Sequence, residues 1–199
     1  MREFIIATNN KNKLIEIERI LGPLGITAVT AGERGIDLGD VVEDGETFID
    51  NAYIKAKHAF DICHCPVIAD DSGLCIDALD GRPGIYSARY GGESTSYSDK
   101  ITMLLKELED VPEEARGAHF TSAVCCILDD STVIKVEGRC EGRIAYEPSG
   151  SGGFGYDPIF TVDGVSFASL SAEEKDRLSH RGNALRMLRD KLAEIMKTD

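Results

Sequence analysis

Along this chain, short apolar runs alternate with stretches whose apolar residues recur every three or four positions. Phe4-Ile5-Ile6-Ala7 is continuous and apolar, as expected of a buried strand. Thr8-Asn9-Asn10 breaks it with turn-forming residues. Leu14, Ile17, Ile20 and Leu21 then follow at helical spacing until Gly22-Pro23 stops them. A second helix is predicted from Phe48 to about Ile62, opened by Thr47 with Asp50 at capping-box spacing and carrying Lys55, Lys57 and His58. Pro66-Val67-Ile68-Ala69 reads as another buried strand, ending abruptly in Asp70-Asp71-Ser72-Gly73. Ser98 is expected to cap a helix whose apolar face is Ile101, Leu104, Leu105 and Leu108. Phe120 to Leu128 and Thr132 to Val136 flank Asp129-Asp130-Ser131 as a hairpin, and Leu185, Leu188, Leu192 and Ile195 form a closing helical stripe. The order of these elements predicts an α/β protein with a mixed sheet.

Composition narrows the function classes. The 199 residues suit one domain with a full core, and 42% apolar and 29% charged residues are those of an ordinary globular chain. A net charge of −13 argues against a nucleic-acid polymer as partner but leaves room for a small phosphorylated ligand. No apolar run is long enough to cross a bilayer, and MREFIIATNN turns polar too early for a signal peptide, so a cytosolic location is expected. Six cysteines, at 63, 65, 75, 125, 126 and 140, lack the spacing of a structural zinc site and are read as reduced, mostly small hydrophobes.

Several stretches carry candidate chemistry. The strand–polar loop–helix opening around Thr8 to Asn10 offers free backbone N–H groups and a positive dipole end to an anion. Asp70 and Asp71 follow a buried strand directly, where alternation sends the two carboxylates to opposite sides. Such carboxylates suit Mg²⁺, which takes one or two of them and fills its octahedron with water and phosphate oxygens; turn or capping chemistry is the competing reading. Glu43, in Glu43-Asp44-Gly45-Glu46, is either a second carboxylate or part of a solvated loop. Lys13, Lys175, His180 and Arg181 stand out in so acidic a chain. GSGGFGYDP, residues 149–158 with its leading serine, matches neither a P-loop nor a dinucleotide fingerprint, and Phe154 and Tyr156 are wrong for a tether. It is read as a tight loop laying an aromatic ring or backbone groups against a flat ligand.

Taken in order, ATNNKNKLIEI, ETFIDNAYIKAKHA, IADDSGLCIDALDGRPGIYSARY, GSGGFGYDPIF and SLSAEEKDRLSHRGNAL closely resemble the Ham1-type inosine triphosphate pyrophosphatases. The likeness runs from about Phe4 to Leu188. It implies one domain over residues 1–199 with an elongated, twisted mixed sheet, two lobes and a site in the cleft between them. It further implies a homodimer that, with Mg²⁺, cleaves ITP, dITP and XTP between the α and β phosphates to the monophosphate and pyrophosphate. Carried over by motif, Thr8, Asn9, Asn10, Lys11, Asn12 and Lys13 form the first phosphate-binding segment. Asp71 is the proton acceptor, Ser72 contacts substrate, and Glu43 and Asp71 are the Mg²⁺ carboxylates. Phe154, Gly155, Tyr156 and Asp157 form the nucleoside loop, and Lys175, His180 and Arg181 supply the remaining contacts. Asn9 stands where relatives often have glycine, a change that left-handed backbone at asparagine would accommodate. Because a metal-bound carboxylate must divide its oxygens, Asp70 stays open as the alternative base. The rival readings are a Maf-type pyrophosphatase acting on pyrimidine or modified nucleotides and a non-catalytic nucleotide sensor on the same fold.

Overall fold

The computed structural model describes residues 2–198. Its elements in chain order are β1 (Arg2–Ile6), α1 (Lys11–Leu21), β2 (Ile26–Thr30), α2 (Phe48–Cys63), β3 (Val67–Ile76), α3 (Tyr97–Glu107), β4 (Gly117–Asp129), β5 (Thr132–Ile144), β6 (Phe160–Val162), β7 (Val165–Ser166), α4 (Ala172–Leu178) and α5 (His180–Thr198). The strands form a mixed seven-stranded sheet in the order β2-β1-β3-β4-β5-β6-β7, as the sequence pattern predicts for an α/β chain. β1 runs parallel to β2 and β3, whereas β6 is antiparallel to β5 and β7. No helix among the described residues is long and apolar enough to cross a membrane.

The chain divides into two compact units, the first built from Met1–Asp71, Ser122–Gly138 and His180–Asp199. Here strand alternation sorts side chains onto two faces. Phe4, Ile6, Ile68, Val124 and Cys126 join Ile17 and Leu21 of α1 and Leu185, Leu188 and Leu192 of α5 in one core cluster. Ile5, Val67, Ala69, Ala123 and Cys125 instead meet Ala52, Ala56, Ala59 and Phe60 of α2. Each fully buried leucine or isoleucine contributes about 1.5–3 kcal/mol through removal from water. The alanine face of α2 lets that helix lie close to the sheet, which sets its polar residues next to the strand-borne carboxylates.

Gly138 of β5 marks where α5 presses on the sheet. A β-carbon there would lie 2.3 Å from the His180 carbonyl oxygen and 2.4 Å from the Ala184 nitrogen, both backbone atoms. Gly138→Ala is therefore expected to cost about 1–3 kcal/mol, because a helix turn cannot swing aside as a side chain would. A thermal melt tests this: an unchanged or higher midpoint would refute the close packing.

The second unit comprises Ser72–Thr121 and Arg139–Ser179. Its core gathers Leu74, Ile76, Leu104, Phe120, Tyr156, Phe160 and Phe167. Arg116 is buried there, and its guanidinium donates to the carbonyl oxygens of Leu108, Ile144 and Ala145, the first at the end of α3.

Two local expectations change. Ser96, not Ser98, caps α3, its hydroxyl accepting from the Asp99 N–H at 3.1 Å. Ser96 has Asp99 three residues on, a capping-box pattern, while Ser98 has only Ile101 there. Further, Asp70-Asp71-Ser72-Gly73 is not a turn: β3 runs through it to Ile76. A strand can carry two buried carboxylates when cations on either face neutralise them, and Leu74, Cys75 and Ile76 resume the buried pattern.

Candidate active site

At the start of α1 the Thr8 hydroxyl accepts from the Asn10 N–H at 3.1 Å, and the Asn10 side chain caps the helix by accepting from the Asn12 N–H at 3.0 Å. Lys11 and Asn12 are exposed, while Lys13 turns inward one position later. Asn9 is not among the non-glycine residues with positive φ, which are His64, Asp80 and Asp163. The turn therefore forms without the left-handed backbone expected at Asn9.

Alternation along β3 sends Asp70 and Asp71 to opposite faces. Asp70 Oδ2 accepts from Lys13 Nζ at 3.0 Å and from Arg181 Nε at 3.1 Å, and Arg181 Nη1 donates to Glu16 Oε2 at 2.7 Å. All three partners are drawn from α1 and the first turn of α5. Burial would raise the Asp70 carboxyl, but Lys13, Arg181 and Lys55 outweigh it and hold it well below the usual carboxylate range. Arg181 is 2% exposed and turned into this network, and although burial disfavours its charge, Asp70 and Glu16 hold it above the usual guanidinium range.

Asp71 looks the other way, toward α2. Lys55 Nζ donates to Asp71 Oδ1 at 3.1 Å and to Glu43 Oε2 at 3.0 Å, so one ammonium gathers both carboxylates. Asn51, fully buried one turn earlier, donates from Nδ2 to Asp71 Oδ2 at 3.3 Å and accepts the Gly45 N–H at 2.9 Å on Oδ1. It thereby ties the Glu43 loop to the Asp71 strand. A β-carbon at Gly45 would sit 2.7 Å from Asn51 Oδ1, so the loop fits only with glycine there. Burial raises the Asp71 carboxyl above its ordinary value, with Glu43 adding to it and Lys55 and Lys13 opposing. Burial also works to lower the Lys55 ammonium, yet Asp71, Asp70 and Glu43 leave it above the ordinary lysine value. Within the acidic loop Glu43 turns toward Lys55, while Asp44 and Glu46 stay exposed. The sequence marks Lys55 only as a charge on the predicted helix and does not mark Asn51. Their four-residue spacing beside an alanine stripe is the signal that could have found them.

The donor set fits Mg²⁺. Glu43 and Asp71 present two hard oxygens around one positive charge, already supplied by Lys55. Among the described residues no group of three or more His, Cys, Asp or Glu side chains converges on one point. A cation held here must complete its shell with water and phosphate oxygens, as Mg²⁺ does at phosphate sites. Nearby, Asp70 Oδ1 is buried without a partner among the described residues.

The second unit carries the glycine-rich loop. Asp157 Oδ2 accepts from the Phe154 N–H at 2.7 Å and from Lys175 Nζ at 2.5 Å, and Lys175 Nζ lies 4.4 Å from the Phe154 ring centroid. Lys175 comes from α4, whose start is fixed by a capping box between Ser171 and Glu174. Tyr156 is buried, donates its hydroxyl to the Ser87 carbonyl at 2.8 Å and meets Tyr97 edge-on at 5.3 Å. Phe154 and Gly155 are half-buried, as is Ser72. The glycines serve the protein's own packing. A β-carbon would lie 2.5 Å from the Ala168 carbonyl carbon at Gly150, and 2.2 Å from Asp157 Oδ2 at Gly153. The close approach expected toward a ligand is, at these two positions, an approach to Ala168 and Asp157. The ring of Phe154 is what the loop presents.

Each unit therefore concentrates cations and carboxylates from separate elements around chemistry suited to a phosphorylated, ring-bearing ligand. The chain belongs to the Ham1 family, whose profile matches residues 4–191. It is 47% identical over 190 residues to the dITP/XTP pyrophosphatase of Halalkalibacterium halodurans, spanning 94% of this chain and 97% of that one. Identity to the dITP/XTP pyrophosphatase of Escherichia coli K12 is 43%, over 96% of this chain and 98% of the relative. The solved structure of a HAM1 protein from Coxiella burnetii superposes with a TM-score of 0.88 at 39% identity, covering 98% of this chain and all of that one.

Proposed function

We propose that this chain hydrolyses purine nucleoside triphosphates with deaminated bases, ITP, dITP and XTP, between the α and β phosphates, releasing the monophosphate and pyrophosphate. The observation that carries the reading is the Glu43–Lys55–Asp71 cluster, in a chain whose relatives bear the name dITP/XTP pyrophosphatase. Glu43 and Asp71 are the residues that would hold Mg²⁺, which when bound supplies charge neutralisation at the phosphate oxygens. Lys13 and the helix start from Thr8 to Asn12 bind phosphate, using one ammonium and free N–H groups. Arg181, through Asp70, keeps Lys13 in place. Asp71, whose side chain keeps 12% of its surface exposed, takes the proton of the attacking water. Lys55 and Asn51 fix the carboxylate's orientation while it does so.

For the nucleoside, Phe154 offers a stacking face, held by its own N–H on Asp157 and by Lys175 across the ring. Ser72 and Gly155 supply the remaining nucleoside contacts in this reading, while Tyr156, buried with its hydroxyl on the Ser87 carbonyl, supports the loop from within. Hypoxanthine and xanthine present a 6-oxo acceptor where adenine presents an amino donor, so a buried donor aimed at O6 discriminates by as much as about 10⁴-fold. Guanine shares the 6-oxo group and is refused through its 2-amino group. The protein acts, in this reading, as a cytoplasmic homodimer, and its net charge of −13 weighs against a nucleic-acid polymer as partner.

Incubating the protein with ITP, XTP, dITP, ATP, GTP and dTTP in Mg²⁺ and resolving pyrophosphate from phosphate tests the reading. Pyrophosphate from the first three, with ATP and GTP slower by orders of magnitude, is expected. Equal rates on ATP and ITP, preference for dTTP, or phosphate as the only product would overturn it.

A further inference from the structure

We propose that Asn51 is a positioning residue for the divalent cation, joining the Glu43 loop to β3 so that Glu43 and Asp71 form one two-carboxylate site before the nucleotide arrives. The inference rests on the reading of Glu43 and Asp71 as the Mg²⁺ carboxylates, and adds what holds two side chains from distant parts of the chain at one place. The backbone of Asn51 is fixed in the first turn of α2. Its N–H donates to the Thr47 carbonyl at 3.1 Å, and the Thr47 hydroxyl caps that turn by accepting from the Asp50 N–H. Ala52 and Ala56, both fully buried, hold the same helix against the sheet. Both ends of the Asn51 amide are then used. Oδ1 accepts from the Gly45 N–H at 2.9 Å, and Nδ2 donates to Asp71 Oδ2 at 3.3 Å. An amide meets both needs at once, because the loop N–H requires an acceptor and the carboxylate requires a donor.

Asn51 differs in kind from Lys55, one helical turn further on. Lys55 Nζ meets Glu43 Oε2 at 3.0 Å and Asp71 Oδ1 at 3.1 Å, so its positive charge competes with any cation that those carboxylates bind. Asn51 is neutral and does not compete. It holds the loop by a backbone N–H and Asp71 by the other oxygen, which leaves Asp71 Oδ1 and Glu43 Oε2 facing one common point at Lys55 Nζ. The loop is shaped for this contact. A β-carbon at Gly45 would lie 2.7 Å from Asn51 Oδ1, 2.7 Å from the Asp50 β-carbon and 2.9 Å from the Asn51 nitrogen. Groups that orient metal-binding side chains from behind change metal affinity or activity by about 10–100-fold when they are removed.

The test titrates the nucleotide-free full chain with Mn²⁺, an oxygen-seeking ion counted by electron paramagnetic resonance. The unmutated chain is expected to take up Mn²⁺ that Mg²⁺ displaces. Asn51→Leu, close in shape but without either polar end, should bind it about 10–100-fold more weakly. Gly45→Ala should weaken uptake similarly, and the double variant should bind no more weakly than Asn51→Leu, since both changes break one contact. Hydrogen exchange in the metal-free chain supplies a second readout. The Gly45 amide should exchange faster in Asn51→Leu while the amides of Ala56 to Phe60 stay protected, which separates a lost loop contact from a failure to fold. If Asn51→Leu loses that protection throughout, Gly45→Ala alone decides. No Mn²⁺ uptake by the unmutated chain, unchanged uptake in the folded variants, additive effects of the two substitutions, or unaltered exchange at Gly45 would each overturn the proposal. ITP cleavage is followed in parallel: Mn²⁺ uptake that depends on Asn51 in a chain that leaves ITP intact would sink the functional reading and keep this one.

Discussion

Replacing Asp71 by asparagine is expected to lower ITP turnover by about 10²–10⁴-fold while nucleotide affinity stays within roughly tenfold of wild type. Asparagine keeps the shape of the side chain and an oxygen for Lys55 Nζ, which now sits 3.1 Å from Asp71 Oδ1. What it loses is the negative charge and the capacity to take a proton. The substitution therefore removes the base, and with it one anionic Mg²⁺ ligand, while leaving the side-chain packing in place. Asp70 makes a poor base on the same geometry: two cations hold its Oδ2, its side chain is 1% exposed, and its proton affinity is driven down rather than up. Asp71 keeps 12% of its side chain exposed and has the raised pKa. Single-turnover rates with ITP and equilibrium binding of a non-hydrolysable analogue decide the matter. Near-wild-type turnover in Asp71→Asn, or binding lost in proportion to rate, would sink the assignment.

Much of this arrangement was legible in the chain because strand and helix periodicities are strong where both faces are buried. β1, the polar loop and α1 stand as the hydrophobic pattern predicts, and the opposite facing of Asp70 and Asp71 follows from alternation alone. What escaped was decided by tertiary partners. For the Asp-Asp-Ser-Gly stretch local chemistry leaves strand end and turn both open, and β3 runs on through it with Lys13, Arg181 and Lys55 neutralising its carboxylates. Lys55 and Asn51 sit on an alanine-rich helix that looks like generic amphipathic surface. Their meaning depends on the loop at Gly45 and the strand at Asp71, 6 and 20 residues from Asn51 in sequence. The glycine loop reads as tight on account of approach to a flat ligand, whereas at Gly150 and Gly153 the neighbours are Ala168 and Asp157. Backbone-to-backbone packing of that kind leaves no periodic trace.

Asp70→Asn is expected to be the most destabilising single change at the site, although it leaves side-chain volume almost untouched. The side chain is 1% exposed, and its carboxylate is the shared acceptor of Lys13 and Arg181. Removing its charge leaves the buried Arg181 to Glu16 and takes the carboxylate from the half-buried Lys13. Breaking a buried ion pair on one side costs about 3–5 kcal/mol, which for a chain of this size lowers the melting midpoint by roughly 6–20 °C. The pH dependence has a definite sign. Asp70 titrates lower in the folded than in the unfolded chain, so its stabilisation is complete above the unfolded value of about 4 and is lost as pH falls toward the folded one. The gap in melting midpoint between wild type and Asp70→Asn should accordingly stay level from about pH 5 to 8 and narrow below about pH 4. Calorimetry across that range measures it. A gap under about 1 °C at pH 7, or one that does not shrink in acid, would mean that Asp70 is not the keystone of the Lys13–Arg181 network.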